Sequence, residues 1–273
     1  MSKVAVVIYN LGGPDSQKAV QPFLRNLFSD PLILRVPGLI RMALARFIAW
    51  RRTPAAREIY QQIGGRSPIL PETNKQAAAL QGLLGEGYRV FVAMRYWHPF
   101  VERVASDIAD WGPDRVILIP LYPQFSTTTT GSFMRVWQAA ADKSGLTSPT
   151  AQICCWPEEK GFVGTIARLT EQTIAKIPEN TPYRILFSAH GLPEKFIVAG
   201  DPYAAQVERT VASICARLEN PSVDHVVCYQ SRVGLRRTTT NRVDAICRWR
   251  ISHSGLGGIH QGRSTGSSWR SEI

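Results

Sequence analysis

The sequence predicts an α/β protein built on parallel sheets. Two observations carry this. Five short apolar runs read as buried strands: KVAVVIY (3–9), YRVFVAM (88–94), RVILIPLYP (115–123), RILFSA (184–189) and DHVVCY (224–229). They alternate with segments of helical period, and such alternation implies parallel pairing through right-handed crossovers, with helices on both sheet faces. The strands are almost continuously apolar, as sheets covered on both sides require.

Each element has its own signal. The run 3–9 is rich in β-branched residues and ends at the turn signal NLGGP. Val20, Phe23, Leu24, Leu27 and Phe28 recur at helical spacing, and Pro22 is tolerated in a first turn. Phe100, Val101, Val104, Ile108 and Trp111 give a second apolar face. Tyr203, Val207, Val211, Ile214, Cys215 and Leu218 give a third. A polar Gly- and Pro-containing stretch, DKSGLTSPT (142–150), separates two such units. The expected organisation is a first domain over 1–149 and a partial second domain over 150–234. A basic tail over 235–273 follows.

Segment 31–52, PLILRVPGLIRMALARFIAWRR, differs from the rest. Leu39, Ile40, Leu44, Phe47 and Ile48 form an apolar face, and Arg35, Arg41, Arg46, Arg51 and Arg52 supply charge. Two readings stand: a helix buried by packing, or an apolar lip for a large flat ligand or a membrane surface.

Composition narrows the function. A length of 273 residues and a 44% hydrophobic share suit a soluble globular protein. No run of 18 or more apolar residues suggests a transmembrane helix. The N-terminus lacks the long apolar stretch and cleavage site of a signal peptide, so the expected location is cytoplasmic. The five cysteines, Cys154, Cys155, Cys215, Cys228 and Cys247, include no C-x-x-C pair, which disfavours a disulfide framework or a zinc site. Cys154 and Cys155 can bind a soft metal, but small apolar positions in the strand-like TAQICCW are the favoured reading.

The formal net charge is +11. Residues 235–273 hold seven Arg, no Lys and two acids, so they carry +5 of it. No RNP, helix-turn-helix or zinc-finger signature accompanies the charge, and nucleic acid is not the expected partner.

Ligands of open parallel sheets bind beyond the carboxyl ends of the strands. Four polar stretches follow strands: YNLGGP (9–14), RYWHPF (95–100), YPQFSTTTTGS (122–132) and SAHGLP (188–193). None is a nucleotide fingerprint. The Ser/Thr run 126–130 either cradles an anion or caps itself. His190 stands directly after a strand, before Gly191, Leu192 and Pro193, and is the best candidate for a base or metal ligand. His98 and His225 read as structural.

Taken together and in order, NLGGP, RRTPAAREIYQQIGGRSPI (51–69), RYWHPF, YPQFSTTTTGS, SAHGLP, GDPYAAQ (200–206) and CYQSRVG (228–234) resemble the ferrochelatase family. The resemblance covers residues 1–234. It implies two Rossmann-like, chelatase-type domains with parallel sheets, the second incomplete, and a porphyrin cleft between them. It implies insertion of Fe²⁺ into protoporphyrin IX to give protohaem. No organic cofactor is required and no iron–sulfur cluster is expected. His190 matches the central catalytic residue, as metal ligand or acceptor of pyrrole protons. Leu11 matches a residue on the porphyrin face, and Arg95 and Tyr96 match the metal and propionate side. Ser126 and Thr130 match the loop lining the cleft. Segment 31–52 matches the apolar lip, which can touch a membrane peripherally.

After Gly234 the family continues with a segment like SEHxETLxELDxEY, whose Glu opposes the catalytic His. Residues 235–273 contain no such segment, and Glu272, His253 and His260 lack matching context. Arg, Ser, Thr and Gly make up 22 of these 39 residues, too few apolar groups to offset ordering entropy. The expectation is an unpacked tail arising from a shifted reading frame, and turnover weaker than porphyrin binding. The alternative functions are a porphyrin-binding protein without turnover, and a basic protein whose Arg-rich tail binds nucleic acid or acidic lipid.

Overall fold

The computed structural model describes residues 2–230. The chain divides into two compact units between Trp156 and Pro157. From sequence the boundary falls near 142–150. The short strand Thr150–Gln152 pairs with the strand at 115–120 and so belongs to the first unit.

The first unit is a four-stranded parallel sheet. Its strands are β1 (Val4–Asn10), β2 (Tyr88–Met94), β3 (Arg115–Pro120) and β4 (Thr150–Gln152), in the order β2-β1-β3-β4. β1 runs in parallel register with β2 from Val4↔Tyr88 to Asn10↔Met94, and with β3 from Val4↔Arg115 to Tyr9↔Pro120. The strand order reverses about β1, which puts a topological switch point at its carboxyl end.

Helices α1 (Val20–Phe28), α2 (Gly38–Gln62) and α3 (Ile69–Leu84) connect β1 to β2. Helix α4 (Val101–Trp111) connects β2 to β3, and α5 (Thr130–Ser144) connects β3 to β4. Ala5, Val7 and Tyr9 point to one face of β1, because strand side chains alternate. There they pack with Val104, Ala105 and Ile108 of α4 and with Phe133, Trp137 and Ala141 of α5. Tyr9 stacks on Phe133 with ring centroids 3.7 Å apart and planes at 9°. Val6 and Ile8 are buried on the opposite face. Helix α4 stops at Gly112, whose left-handed φ of 63° lets its N–H bond back to Ile108 and Ala109.

Helix α2 buries a stripe that the apolar pattern does not indicate. Ala45, Ala49 and Thr53 are its buried residues, spaced i, i+4, i+8, and α2 packs against α1. Small side chains let two helices approach closely. The larger residues of the expected face turn outward: Leu39 is 87%, Ile40 58% and Phe47 56% exposed. Leu44 and Ile48 of that face are half-buried, so it is covered only in part. No helix among the described residues is long and apolar enough to cross a membrane.

The second unit holds α6 (Lys160–Ile174), β5 (Ile185–His190), α7 (Glu194–Val198), α8 (Tyr203–Cys215) and β6 (His225–Gln230). β5 and β6 pair in parallel from Ile185↔His225 to His190↔Gln230. The Glu159 carboxylate accepts the Phe162 N–H at 2.8 Å and opens α6. Asp201 Oδ1 accepts the Tyr203 N–H at 3.1 Å and opens α8, which explains the polar residues of GDPYAAQ. Val163 and Ala167 of α6, Ile214 of α8, Leu218 and Val223 form the core, with Ile185 and Phe187 of β5 against it. On the other face Leu186, Ser188 and His190 of β5 are exposed, while their neighbours Val226 and Cys228 of β6 are buried, so this face is open over β5 and covered over β6. Cover on both faces, expected from sequence, is met in the first unit and over β6 in the second.

Two further sequence expectations resolve. The strand within TAQICCW ends at Gln152, and Cys154 lies beyond it and is exposed. These cysteines are thus not strand core. His225 opens β6, with Nδ1 2.9 Å from the Val223 carbonyl oxygen. The tail 235–273, with Cys247, His253, His260 and Glu272, lies outside the described residues.

Candidate active site

The polar stretches after β1, β2 and β3 meet at one end of the first sheet. Backbone pairing continues one step past the strands. Arg95 N–H donates to the Asn10 carbonyl at 2.9 Å, and Tyr96 N–H donates to the Leu11 carbonyl at 2.9 Å. Asn10 Oδ1 accepts the Leu11 N–H at 2.8 Å, and Asn26 Nδ2 donates to the Tyr96 carbonyl at 3.1 Å. These bonds fix Leu11, Arg95 and Tyr96 as neighbours although the last two lie far along the chain from the first.

Gly12 is what permits the close approach. Its φ is +84°, and a Cβ there would lie 3.1 Å from Met94 Cβ and 3.2 Å from the Trp97 backbone nitrogen. Gly12→Ala is expected to cost about 1–3 kcal/mol, because it combines a disfavoured backbone with tight contacts that force Met94 or Trp97 to shift. A thermal melt checks this: an unchanged Tm would contradict the packing described.

Behind Arg95 and Tyr96 sits an acid that the sequence does not advertise. Asp30 is 3% exposed. Its Oδ2 accepts Arg95 Nη2 at 2.7 Å and Tyr96 OH at 2.8 Å, and it also accepts the Ser132 hydroxyl. Arg95 Nε donates to Ser132 Oγ at 2.8 Å. The Arg95 guanidinium lies 4.6 Å from the Tyr96 ring centroid. Burial, and then the Asp30 charge, push the Tyr96 phenol above its ordinary value of 10.0. Tyr96 is therefore a neutral hydrogen-bond donor at neutral pH.

Ser126 and Thr130 follow β3. Both are buried. The Ser126 hydroxyl meets Thr128 Oγ1 at 2.9 Å and accepts the Thr128 N–H at 3.2 Å, while its carbonyl accepts the Gly131 N–H at 3.1 Å. Ser126 thus caps its own loop, the second of the two readings the sequence allows. Thr130 Oγ1, Tyr9 OH and Tyr122 OH are buried without a partner at bonding geometry, although Thr130 and Gln152 polarise the Tyr9 hydroxyl. Burial pushes the Tyr9 and Tyr122 phenols upward, so both keep their protons.

His190 belongs to the second unit. It is the last residue of β5 and faces outward on the same side as Leu186 and Ser188. Gly191 N–H donates to the Gln230 carbonyl at 2.6 Å, which anchors the chain just past the imidazole. The ring is exposed by area, yet neighbouring atoms strip enough water to hold its pKa below the ordinary 6.5. Among the described residues no three His, Cys, Asp or Glu side chains converge to hold a metal. His98 is exposed, with its ring edge-on to Phe100 at 4.5 Å. A groove of about 540 Å³ lies between α1 and α2, lined by Gln21, Pro22, Arg25, Arg46, Ala49 and Trp50. It includes none of the six candidate residues and is not the site.

The ferrochelatase family model matches residues 3–248. The chain belongs to the ferrochelatase family. The match spans every candidate residue and runs past Gly234. A ferrochelatase of Caulobacter vibrioides is 49% identical over 237 residues, covering 85% of this chain and 67% of that protein. Those of Pelagibacter ubique and of a Wolbachia from Drosophila simulans are 43% and 45% identical, each over 85% of this chain, and 68% and 75% of those proteins are covered. The chain thus spans about two thirds to three quarters of these relatives' length. Family membership makes it a metal chelatase of haem biosynthesis, acting on a porphyrin and iron. The parallel sheets of both units fit the chelatase fold.

Proposed function

We propose that the chain binds protoporphyrin IX and inserts Fe²⁺, releasing protohaem and two protons. The observation that supports this most is the cluster of Leu11, Arg95 and Tyr96 at the carboxyl ends of β1 and β2, braced from behind by Asp30. Such ends are where parallel sheets take ligands.

The reaction needs no redox change. Two pyrrole N–H bonds break, their electron pairs stay on nitrogen, and the nitrogens bond Fe²⁺. The two protons leave. His190 is suited to the protons because its lowered pKa keeps the ring neutral near pH 7. A neutral imidazole is also a ligand for Fe²⁺ on its way into the ring. Arg95 offers Nη1 to a ligand carboxylate, while Nε and Nη2 are anchored. Leu11 supplies an apolar contact to the ring face. Ser126 and Thr130 hold the loop after β3 in shape. Segment 31–52, with its outward Leu39, Ile40 and Phe47, acts as the apolar lip and as a peripheral membrane contact for a cytoplasmic enzyme. No organic cofactor and no iron–sulfur cluster enters this scheme, because the ring and the metal supply the reacting atoms.

Titration of the full chain with protoporphyrin IX, followed at the Soret band, tests the binding half. Saturable binding is expected, with protoporphyrin preferred over coproporphyrin. Deleting 235–273 is expected to leave the ability to bind porphyrin; loss of all binding would favour the basic-tail reading instead. A second reading, porphyrin binding without turnover, rests on the missing SEHxET-like segment in 235–273, and an iron-insertion assay separates it from the first.

The pH dependence follows from His190. Falling pH protonates the imidazole, and the cation can neither accept a proton nor ligate a metal. Because its pKa is lowered, this loss comes below pH 6.5. The acid limb of the rate profile is expected there; a limb centred above 7 would remove His190 from the role.

A further inference from the structure

Asp30 has no part in the sequence motifs, yet three donors converge on one of its oxygens. Two of them, Arg95 Nη2 and Tyr96 OH, belong to residues proposed to bind the porphyrin; the third is Ser132 Oγ. Its other oxygen accepts the Leu32 N–H at 2.7 Å, which holds the carboxylate in place. The Asp30 side chain is 1% exposed and that of Arg95 15% exposed, so the pair is shielded from competing water. Arg95 Nε is also tied to Ser132. Two edges of the guanidinium are thus anchored, and Nη1 has no hydrogen bond among the described residues.

We propose that Asp30 is the positioning residue of this site: it orients the Arg95 guanidinium and the Tyr96 phenol so that Arg95 presents Nη1 to an anionic group of the porphyrin. The inference rests on the proposed porphyrin-binding role of Arg95 and Tyr96. A long Arg side chain loses rotamer freedom when it binds a ligand, and anchoring it beforehand removes that cost at the moment of binding. A buried carboxylate that accepts several hydrogen bonds is suited to this, because its partners cannot rotate away without leaving it unpaired. An amide at position 30 cannot replace it. Asn has one acceptor oxygen, and its NH₂ group would face donors.

The test is a double-mutant cycle on the full chain, with protoporphyrin IX affinity read at the Soret band. Asp30→Asn is expected to weaken binding about tenfold or more, the range seen when groups that orient a ligand-contacting residue are removed. It is also expected to move the Soret maximum of the bound porphyrin, which a merely stabilising residue would not do. In an Arg95→Met background Asp30→Asn is expected to add little, because Asp30 acts through Arg95. Circular dichroism reports folding. If Asp30→Asn does not fold, Asp30→Glu keeps the charge, displaces it by one methylene, and is expected to show the same loss in smaller measure.

Two failures are distinguishable. If Arg95→Met leaves affinity and spectrum unchanged, the proposed role of Arg95 falls, and this inference with it. If Arg95→Met weakens binding while folded Asp30→Asn binds like the parent chain or tighter, only the positioning role of Asp30 is overturned. Additive losses in the double variant overturn it equally.

Discussion

Replacing His190 with Ala is expected to reduce iron insertion by about 10²–10⁴-fold, the usual contribution of a positioned acid or base. Porphyrin affinity is expected to stay within about threefold, since the binding contacts are assigned to Leu11, Arg95 and Tyr96. The reasoning is chemical. Both pyrrole protons must leave for all four nitrogens to bond the metal, and His190 is the candidate residue held neutral at the working pH. Circular dichroism should be unaffected, because the ring is on the exposed side of β5. His98→Ala is the control: His98 is exposed, its ring packs edge-on to Phe100, it is assigned no part in binding or proton transfer, and the change is expected to leave the rate unchanged. Retention of more than about a tenth of the rate in His190→Ala would contradict the assignment, by the same measure.

The largest expected effect on stability lies in the first sheet. Trp137 is 1% exposed, stacks near Phe133 at a centroid distance of 6.2 Å, and belongs to the core beneath β1 and β3. Trp137→Ala is expected to cost about 3–5 kcal/mol through lost burial and the cavity left behind. That is a large share of the roughly 5–15 kcal/mol that holds a domain together. Trp50, 64% exposed on α2, is the contrast, and Trp50→Ala is expected to change stability by about 0.5 kcal/mol or less. Thermal melts of the two variants decide it. Equal shifts would mean that α5 does not carry the core.

Much of this molecule was legible in the chain. β1, β2, β3, β5 and β6 fall where β-branched runs bounded by turn residues put them, within a residue or two, except that the run 115–123 stops as strand at Pro120. Helices α1, α4 and α8 follow their apolar spacing. Leu11, Arg95 and Tyr96 stand just past strands, where a parallel sheet exposes chemistry; Ser126 and Thr130 lie between β3 and the start of α5, and His190 is the last residue of β5, not the first beyond it.

The illegible parts have physical reasons. Asp30 precedes Pro31 at the end of α1 and reads locally as a turn residue, which one of its oxygens does serve through Leu32. Its second oxygen meets partners 65 and more residues away, and no local pattern encodes that. The α2 stripe of Ala45, Ala49 and Thr53 is invisible to hydrophobicity, because close helix approach selects small side chains and leaves the large ones outward. Helix α5 does carry an apolar pattern, Phe133, Trp137, Ala140 and Ala141, but it starts inside the Thr-rich stretch that reads as loop.

One measurement tests the central claim most directly. The full chain is mixed anaerobically with protoporphyrin IX and Fe²⁺, and the Soret band and released protons are followed together. The account predicts conversion of the bound porphyrin to the protohaem spectrum, with two protons released per iron inserted. A porphyrin spectrum that stays metal-free while the porphyrin is bound would contradict it.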